Sequence, residues 1–150
     1  MHDESPPRIR CDHVALLVAA LEPAIDALRA LDDGLIAGPI ETFAGEGTRE
    51  VYLDRGQPGP ARLLLLQPIG PGPYARALAR RGPGLHHVAL DVADARSFAT
   101  GREGWLLHPR SLETWAATKT LWLARPGVGT LLEVQERALR APMDDVGSAT

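Results

Sequence analysis

The sequence predicts an α+β fold in which the pattern β-α-β-β-β occurs twice. Residues 12 to 19 read DHVALLVA and residues 86 to 93 read HHVALDVA, so six of eight positions are identical at an offset of 74. Self-similarity at a fixed offset indicates a duplicated module. Both copies also place a histidine at the same position, His13 and His87, which a shared richness in alanine does not require.

Each copy is followed by a segment that can form a helix and then by three short runs with strand character. Helices are predicted over Leu21–Leu31 and Asp94–Thr100, and a linking helix over Pro73–Arg81. The predicted later strands are Gly34–Thr42, Thr48–Asp54, Ala61–Gln67, Trp105–His108, Thr118–Ala124 and Thr130–Gln135. One domain is expected over residues 10–137, with modules at about 10–68 and 84–137 and flexible tails at 1–9 and 138–150.

Composition narrows the class of protein. The chain has 150 residues, with Lys+Arg 16 against Asp+Glu 19, which leaves no large basic surface for nucleic acid. No apolar run approaches the roughly 20 residues that span a bilayer, and the acidic, proline-containing start differs from a signal peptide. The single Cys11 excludes an intrachain disulfide. We expect a cytoplasmic protein that acts on a small molecule, without nucleic-acid or membrane partners.

Alternation along the strands places the two histidines on one face of the sheet. His13 and Ala15 share a face, and His87 and Ala89 share the equivalent face in the repeat. Glu133 interrupts an otherwise apolar last strand. Burying an unpaired carboxylate costs on the order of several kcal/mol. Glu133 is either a structural residue that pairs with an arginine or the backbone, a half-exposed residue of an open cup, or a metal ligand. Two imidazoles and one carboxylate suit a catalytic divalent metal with open positions, so the sequence favours the last.

Three segments carry a resemblance to a known family. They are Asp12-His-Val-Ala15, Gly84-Leu-His-His-Val-Ala-Leu-Asp-Val92 and Gly129-Thr-Leu-Leu-Glu133. Together with the doubled pattern they resemble the vicinal oxygen chelate superfamily, also called the glyoxalase/bleomycin resistance/dioxygenase family. Within it, Gln67-Pro-Ile69, the short helix and Arg81-Gly-Pro-Gly84 are most similar to methylmalonyl-CoA epimerase. The similarity covers about residues 10 to 137.

The resemblance implies an eight-stranded, incompletely closed sheet curled around a divalent metal ion (Zn, Co, Mn, Ni or Fe). It implies His13, His87 and Glu133 as metal ligands. Epimerases and glyoxalases usually have a fourth ligand, Gln or Glu, where this chain has Leu64 or Leu65, depending on register. Gln67 would replace it only if the strand slipped. The site is therefore a three-ligand one, as in the ring-cleaving dioxygenases and fosfomycin-resistance enzymes, or a metal-free cup, as in the bleomycin-binding members.

The resemblance also implies a chemistry. The expected enzyme is an epimerase-like lyase or isomerase whose metal ion chelates neighbouring oxygens of a small substrate and stabilises an enediolate. Glu50 matches the position of the epimerase base. Glu133, His108 and Glu113 are candidates for the second acid, and the resemblance favours Glu133. Tyr52, on the same strand face as Glu50, is expected to contact the substrate together with His108 and Trp122. The family often pairs modules between chains, so a homodimer is expected.

Overall fold

A computed structural model describes residues 9–100 and 102–137. Its strands are β1 (Arg10–Leu17), β2 (Ile36–Ala37), β3 (Glu41–Phe43), β4 (Thr48–Asp54), β5 (Arg62–Pro68), β6 (Gly84–Val92), β7 (Leu106–Leu107), β8 (Thr120–Ala124) and β9 (Leu131–Glu136). Its helices are α1 (Leu21–Leu31), α2 (Pro73–Arg81), α3 (Ala95–Ala99) and α4 (Arg110–Thr118). The predicted tails fall outside these residues, apart from Ile9. Within the described ranges, every helix is too short or too polar to cross a lipid bilayer.

The strands form one sheet in the order β2-β4-β5-β1-β6-β9-β8-β7, with β3 paired to β4 beside β2. The first half of the chain supplies one side of the sheet and the second half the other. Antiparallel pairing of β1 with β6 joins the halves at the centre. Because β2 and β7 lie at opposite ends, the sheet is not closed, which confirms the predicted α+β fold with two βαβββ modules.

The strand count differs from the eight predicted. In the described part of the chain the sheet has nine strands, because the strand predicted over Gly34–Thr42 is present as β2 and β3. Both pieces lie against β4, with Ile36 opposite Asp54 and Glu41 opposite Glu50. The break falls at Gly38-Pro39-Ile40. Proline has no backbone N–H to donate to a ladder, so an edge strand is interrupted at this position.

The outer face of the first module is covered by α1. Leu21, Leu53 and Leu65 are fully buried in one cluster, and Leu16 and Val18 pack against it. The side chain of Leu16 on β1 therefore lies under α1, together with Ala24, Ile25 and Leu28 of that helix. On the outer face of the second module, α3 and α4 pack against β8 and β9.

Helix α4 was not predicted. Thr118 was expected to begin a strand, whereas residues 110–118 are helical and β8 begins at Thr120. Five of the nine residues of α4, Arg110, Leu112, Glu113, Ala116 and Ala117, favour helix, and Trp115 packs with the cluster under β8. The helix ends at Lys119, whose φ of 54° turns the chain into β8.

We expect the packing under α1 to dominate the stability of the first module. Replacing Leu65, which is fully buried, by alanine removes apolar contacts and leaves a cavity, at a cost of about 2–5 kcal/mol in the free energy of unfolding. The matched control is Leu31→Ala on α1, because Leu31 is 85% exposed. Urea unfolding followed by circular dichroism measures both. Equal unfolding midpoints for the two variants would contradict the packing described here.

Candidate metal centre

A β-bulge in β1 lies immediately before His13. Cys11 pairs with Leu90 and His13 with Ala89 on β6, so Asp12 is an extra residue without a partner of its own in the ladder. Neighbouring residues of a regular strand point to opposite faces, and a bulge changes that direction. As a result Asp12 and His13 are both buried, and Asp12 Oδ2 lies 2.7 Å from His13 Nδ1.

A second bulge, in β6, lies immediately before His87. Ala15 pairs with His87 and Leu16 with Leu85, so His86 is the extra residue. The Nδ1 atoms of His86 and His87 are 2.8 Å apart. The two bulges therefore occupy equivalent positions in the two modules, and each brings the preceding side chain against the ring of the histidine that follows it.

The two predicted histidines and Glu133 come together at the centre of the sheet. His13 Nε2 lies 3.3 Å from His87 Nε2. Glu133 Oε2 lies 2.9 Å from His87 Nε2 and 3.5 Å from His13 Nε2. Glu133 reaches this point from β9, where it is opposite Ala89 of β6. The small Ala89 side chain leaves space between the three groups.

These separations fit a metal ion. Ligand atoms about 2.1 Å from a metal ion, at angles between about 90° and 110°, lie roughly 3.0–3.4 Å from one another. The three atoms here are 2.9 to 3.5 Å apart, and each belongs to a group that binds Zn²⁺ or Fe²⁺ in proteins. His13, His87 and Glu133 therefore have the composition and spacing of a metal site.

The electrostatics of the centre favour positive charge. Burial acts to raise the pKa of Glu133, but hydrogen bonds from His13 and His87 outweigh it and place the pKa at about 2. Burial acts to lower the pKa of His13, but its hydrogen bonds with Asp12 and Glu133 raise it above the ordinary value. The carboxylate thus stays ionised and attracts cationic groups.

A cavity of about 350 Å³ opens in front of the three groups. Glu50 and Tyr52 of β4 line it, as predicted from their shared strand face, and so does Trp122 of β8. Burial raises the pKa of Glu50, and the hydroxyl of Thr48 donates a hydrogen bond to Glu50 Oε1 at 3.0 Å. A carboxylate suited to accept a proton therefore lies in the same cavity as the candidate metal ligands.

The structure also resolves the register of β5. Leu64 is opposite Tyr52 and lines the cavity, whereas Leu65 is buried under α1. Gln67 is occupied elsewhere, because its Oε1 accepts hydrogen bonds from the backbone N–H of Leu21 and from Arg49. Leucine thus occupies the place of the usual fourth ligand, and Gln67 does not substitute for it.

His108 is not brought to the cavity. It is exposed just before α4, and its Nδ1 accepts a hydrogen bond from the backbone N–H of Arg110. Its backbone N–H donates to the carbonyl of Trp122 at 2.7 Å. His108 therefore supports the cavity wall through its backbone, and the expected contact of its side chain with a substrate has no support in this geometry.

Sequence reasoning missed Tyr74 and Arg110 among the residues that line the cavity. Tyr74, from the first turn of α2, and Arg110, from the start of α4, both line the cavity. The Arg110 guanidinium lies 5.2 Å from the centre of the Tyr74 ring, and it forms an ion pair with Glu46 across the mouth. No motif or spacing marks either residue, because both arrive from helices outside the repeated pattern.

Comparison with known proteins shows similarity at the level of structure. Neither a family model nor a curated protein matches the sequence. A hypothetical protein, BH1468 from Bacillus halodurans, matches with a TM-score of 0.68 and 21% identity over 89% of this chain and 98% of that one. Methylmalonyl-CoA epimerase from Mycobacterium tuberculosis matches with a TM-score of 0.66 and 25% identity over 93% and 94%. A methylmalonyl-CoA epimerase in complex with methylmalonyl-CoA and NH4+ matches with a TM-score of 0.65 and 25% identity over 89% and 98%.

The chain has the glyoxalase-like fold of the vicinal oxygen chelate superfamily. The similarity extends over nearly the whole length of the solved epimerases, and it confirms the resemblance found in the sequence. In this glyoxalase-like chain, His13, His87 and Glu133 line the cavity from three strands of the sheet.

We expect Ser111 to hold the aromatic wall of the cavity in place. Its hydroxyl accepts a hydrogen bond from the Trp122 backbone N–H at 2.7 Å, and Trp122 packs edge-on against His87 at 4.9 Å between ring centres. Ser111→Ala leaves the buried backbone N–H of Trp122 without its acceptor, at a cost of about 1–3 kcal/mol in the free energy of unfolding. The control is Ser97→Ala on the exposed side of α3. Thermal unfolding measures both, and no loss for Ser111→Ala relative to the control would contradict this role.

Proposed function

We propose that this protein is a metal-dependent, epimerase-like enzyme that removes and returns a proton next to a carbonyl group of a small substrate. The observation that carries the proposal is the convergence of His13, His87 and Glu133 on one point in a cavity that Glu50 also lines. The similarity to solved methylmalonyl-CoA epimerases supports the same reaction class.

His13, His87 and Glu133 would hold the metal ion. A divalent ion bound there supplies a Lewis acid that polarises a substrate carbonyl and stabilises the negative charge left when a proton departs. The side chains of Leu64, Tyr74 and Trp122 form apolar walls around this charge. Electrostatic interactions are stronger where water is excluded, so these walls increase the effect of the charged groups.

Glu50 is the proposed base. Its carboxylate lies in the cavity, the Thr48 hydroxyl fixes one of its oxygens at 3.0 Å, and burial makes it a stronger base than an exposed glutamate. Glu133 is the proposed second proton-transfer residue, as the resemblance implies; because its pKa is about 2, it would act as an acid only after it has accepted a proton. Tyr52 remains a neutral phenol, because burial raises its pKa to about 12, and it offers a hydrogen-bond donor to the substrate.

The charges around the cavity favour an anionic substrate. Among the described residues the cavity is lined by three carboxylates, Glu46, Glu50 and Glu133, and by two guanidiniums, those of Arg110 and Arg137. A divalent ion changes this balance from one net negative charge to one net positive charge. A substrate that carries or develops a single negative charge would then neutralise the cavity. A carboxylate next to a thioester or keto group has this chemistry.

A second candidate function follows from Leu64. Leucine cannot bind a metal ion, so three protein ligands leave more coordination positions open than four would. Two imidazoles and one carboxylate with open positions are typical of Fe²⁺ oxygenases. We therefore also propose ring cleavage of a catechol-like substrate as the alternative reaction. The two candidates differ in one observable, because the oxygenase consumes O₂ and the epimerase does not.

We expect protein purified without chelators to carry about one divalent metal ion per chain, measured by elemental analysis. Replacing Glu133 by glutamine removes the anionic ligand and is expected to lower the metal content and raise the dissociation constant at least about 10-fold. The control is Glu103→Gln, which removes an exposed carboxylate in the turn before β7. Wild-type protein without metal, whose melting temperature does not change on adding Zn²⁺, Co²⁺, Mn²⁺ or Fe²⁺, would reject the metal centre.

We expect Glu50→Gln to reduce turnover by about 10²- to 10⁴-fold without changing the metal content, because it removes the base but no ligand. The assay is deuterium uptake at the acidic C–H of methylmalonyl-CoA in ²H₂O, followed by mass spectrometry. Glu41→Gln is the control, since Glu41 pairs with Glu50 across the strands but is exposed. Undiminished exchange in Glu50→Gln would exclude Glu50 as the base, and O₂ uptake with catechol and Fe²⁺ would favour the alternative reaction.

The same assay has an expected pH dependence. Burial raises the pKa of Glu50 above the ordinary glutamate value. The ionised form is the base, so kcat/KM is expected to fall as the pH decreases through this raised pKa, above the value of about 4.3 for an exposed glutamate. Glu50→Gln is expected to lose this acid limb together with most of the rate. An acid limb at or below the ordinary value would assign the titration to another group.

A further inference from the structure

We propose that Asp12 and His86 are the positioning residues of the metal centre. Each binds the Nδ1 side of the ligand imidazole that follows it and leaves Nε2 directed at the metal ion. This inference rests on the proposed metal centre, and it assigns a reason for both β-bulges. It also predicts where three protons lie.

Both contacts join side chains that a regular strand would keep apart. In a regular strand the side chains of adjacent residues lie on opposite faces of the sheet. The contacts Asp12–His13 and His86–His87 exist because Asp12 and His86 are the inserted residues of the two bulges. A single bulge next to a ligand is a local irregularity. Two bulges at positions related by the sequence repeat are a shared feature of both modules.

The nitrogen of His13 that would bind a metal ion determines which nitrogen carries the proton. A neutral imidazole that gives the Nε2 lone pair to a metal ion carries its proton on Nδ1. His13 Nδ1 then donates to Asp12 Oδ2 at 2.7 Å. The carboxylate is itself held by Arg62 at 3.0 Å and by Arg10 at 3.1 Å. It therefore cannot turn away from the ring without losing these ion pairs.

The tautomer of His87 likewise determines the protonation state of His86. His87 Nδ1 must donate when its Nε2 binds the metal ion, so the partner Nδ1 of His86, 2.8 Å away, must accept. His86 is then neutral, with its proton on Nε2. The ring of Tyr74 packs against the His86 ring, at 4.9 Å between ring centres.

The two outer partners are not equivalent. Asp12 is a carboxylate and His86 is a neutral imidazole, although both occupy the same place in the repeat. A hydrogen bond to a charged acceptor is stronger than one to a neutral acceptor. His13 is therefore the more electron-rich ligand of the pair, and loss of the Asp12 acceptor should weaken metal binding more than loss of the His86 acceptor.

The test compares variants that keep or remove each acceptor. Asp12→Asn and His86→Gln keep an oxygen acceptor, whereas Asp12→Leu and His86→Phe remove it at similar size. The dissociation constant for Zn²⁺ is measured by competition with a chromophoric chelator, after near-ultraviolet circular dichroism shows that each variant is folded. Long-range ¹H–¹⁵N spectra of the zinc-loaded protein give the protonated nitrogen of each imidazole. Asp33→Asn, at an exposed acid after α1, is the control.

The expected result has two parts. In zinc-loaded wild type, His13 and His87 are protonated on Nδ1 and His86 on Nε2. His86→Phe is expected to weaken Zn²⁺ binding about 10- to 100-fold, the range typical for the outer partners of metal ligands, with partial rescue in His86→Gln. Asp12→Leu is expected to lose more than His86→Phe, again with partial rescue in Asp12→Asn. Asp33→Asn is expected to bind like wild type.

Failure of the inference and failure of the proposed metal centre give different results. If wild type binds Zn²⁺ through His13 and His87 but the folded variants bind within about 2-fold of it, the positioning role is rejected and the metal centre stands. His86 protonated on Nδ1 in the zinc-loaded protein would also reject the role. If wild type binds no Zn²⁺, the metal centre fails and the positioning role fails with it.

Discussion

The candidate site depends on the antiparallel pairing of β1 with β6 at the centre of the sheet. This pairing joins the two modules, and it places the Nε2 atoms of His13 and His87 3.3 Å apart. Neither module alone holds more than part of the ligand set, since His13 belongs to the first and His87 and Glu133 to the second. The small side chains of Ala15 and Ala89, both fully buried between the histidines, leave the space that the converging rings require.

Much of this arrangement could be predicted from the sequence because the repeat and the strand alternation are local patterns. The helices Leu21–Leu31 and Pro73–Arg81 and the strand Thr48–Asp54 have the predicted bounds. His13, His87 and Glu133 meet as expected, because alternation fixes the face on which each lies. The bulges were not predictable, since an inserted residue is visible only in the pairing of two strands. The split of the second strand at Gly38-Pro39 had a local signal in the proline, and that signal was not used.

The second module shows why other features escaped prediction. Helix α4 has no counterpart in the repeated pattern, although five of its nine residues (Arg110, Leu112, Glu113, Ala116 and Ala117) favour helix. Arg110 and Tyr74 enter the cavity from helices whose position depends on the whole fold. The side chain of His108, by contrast, was expected near the substrate at the end of the predicted strand Trp105–His108, but the chain turns there and only its backbone meets Trp122. Strand alternation indicated the face of His13, His87 and Glu133, whereas nothing local marked Tyr74 and Arg110, which helices bring to the cavity.

The attachment of α4 has a consequence for how such a protein changes over evolutionary time. Strand β7 has only two residues, and beyond it the edge of β8 is bonded by Ser111 and by the His108 backbone instead of by another strand. The strands that carry the candidate ligands, β1, β6 and β9, lie inside the sheet, whereas this part of the cavity wall lies at its edge. Insertions or substitutions at the rim can reshape the space available to a new compound without moving the inner strands. A lineage can therefore acquire a different specificity while the three candidate ligands stay in place.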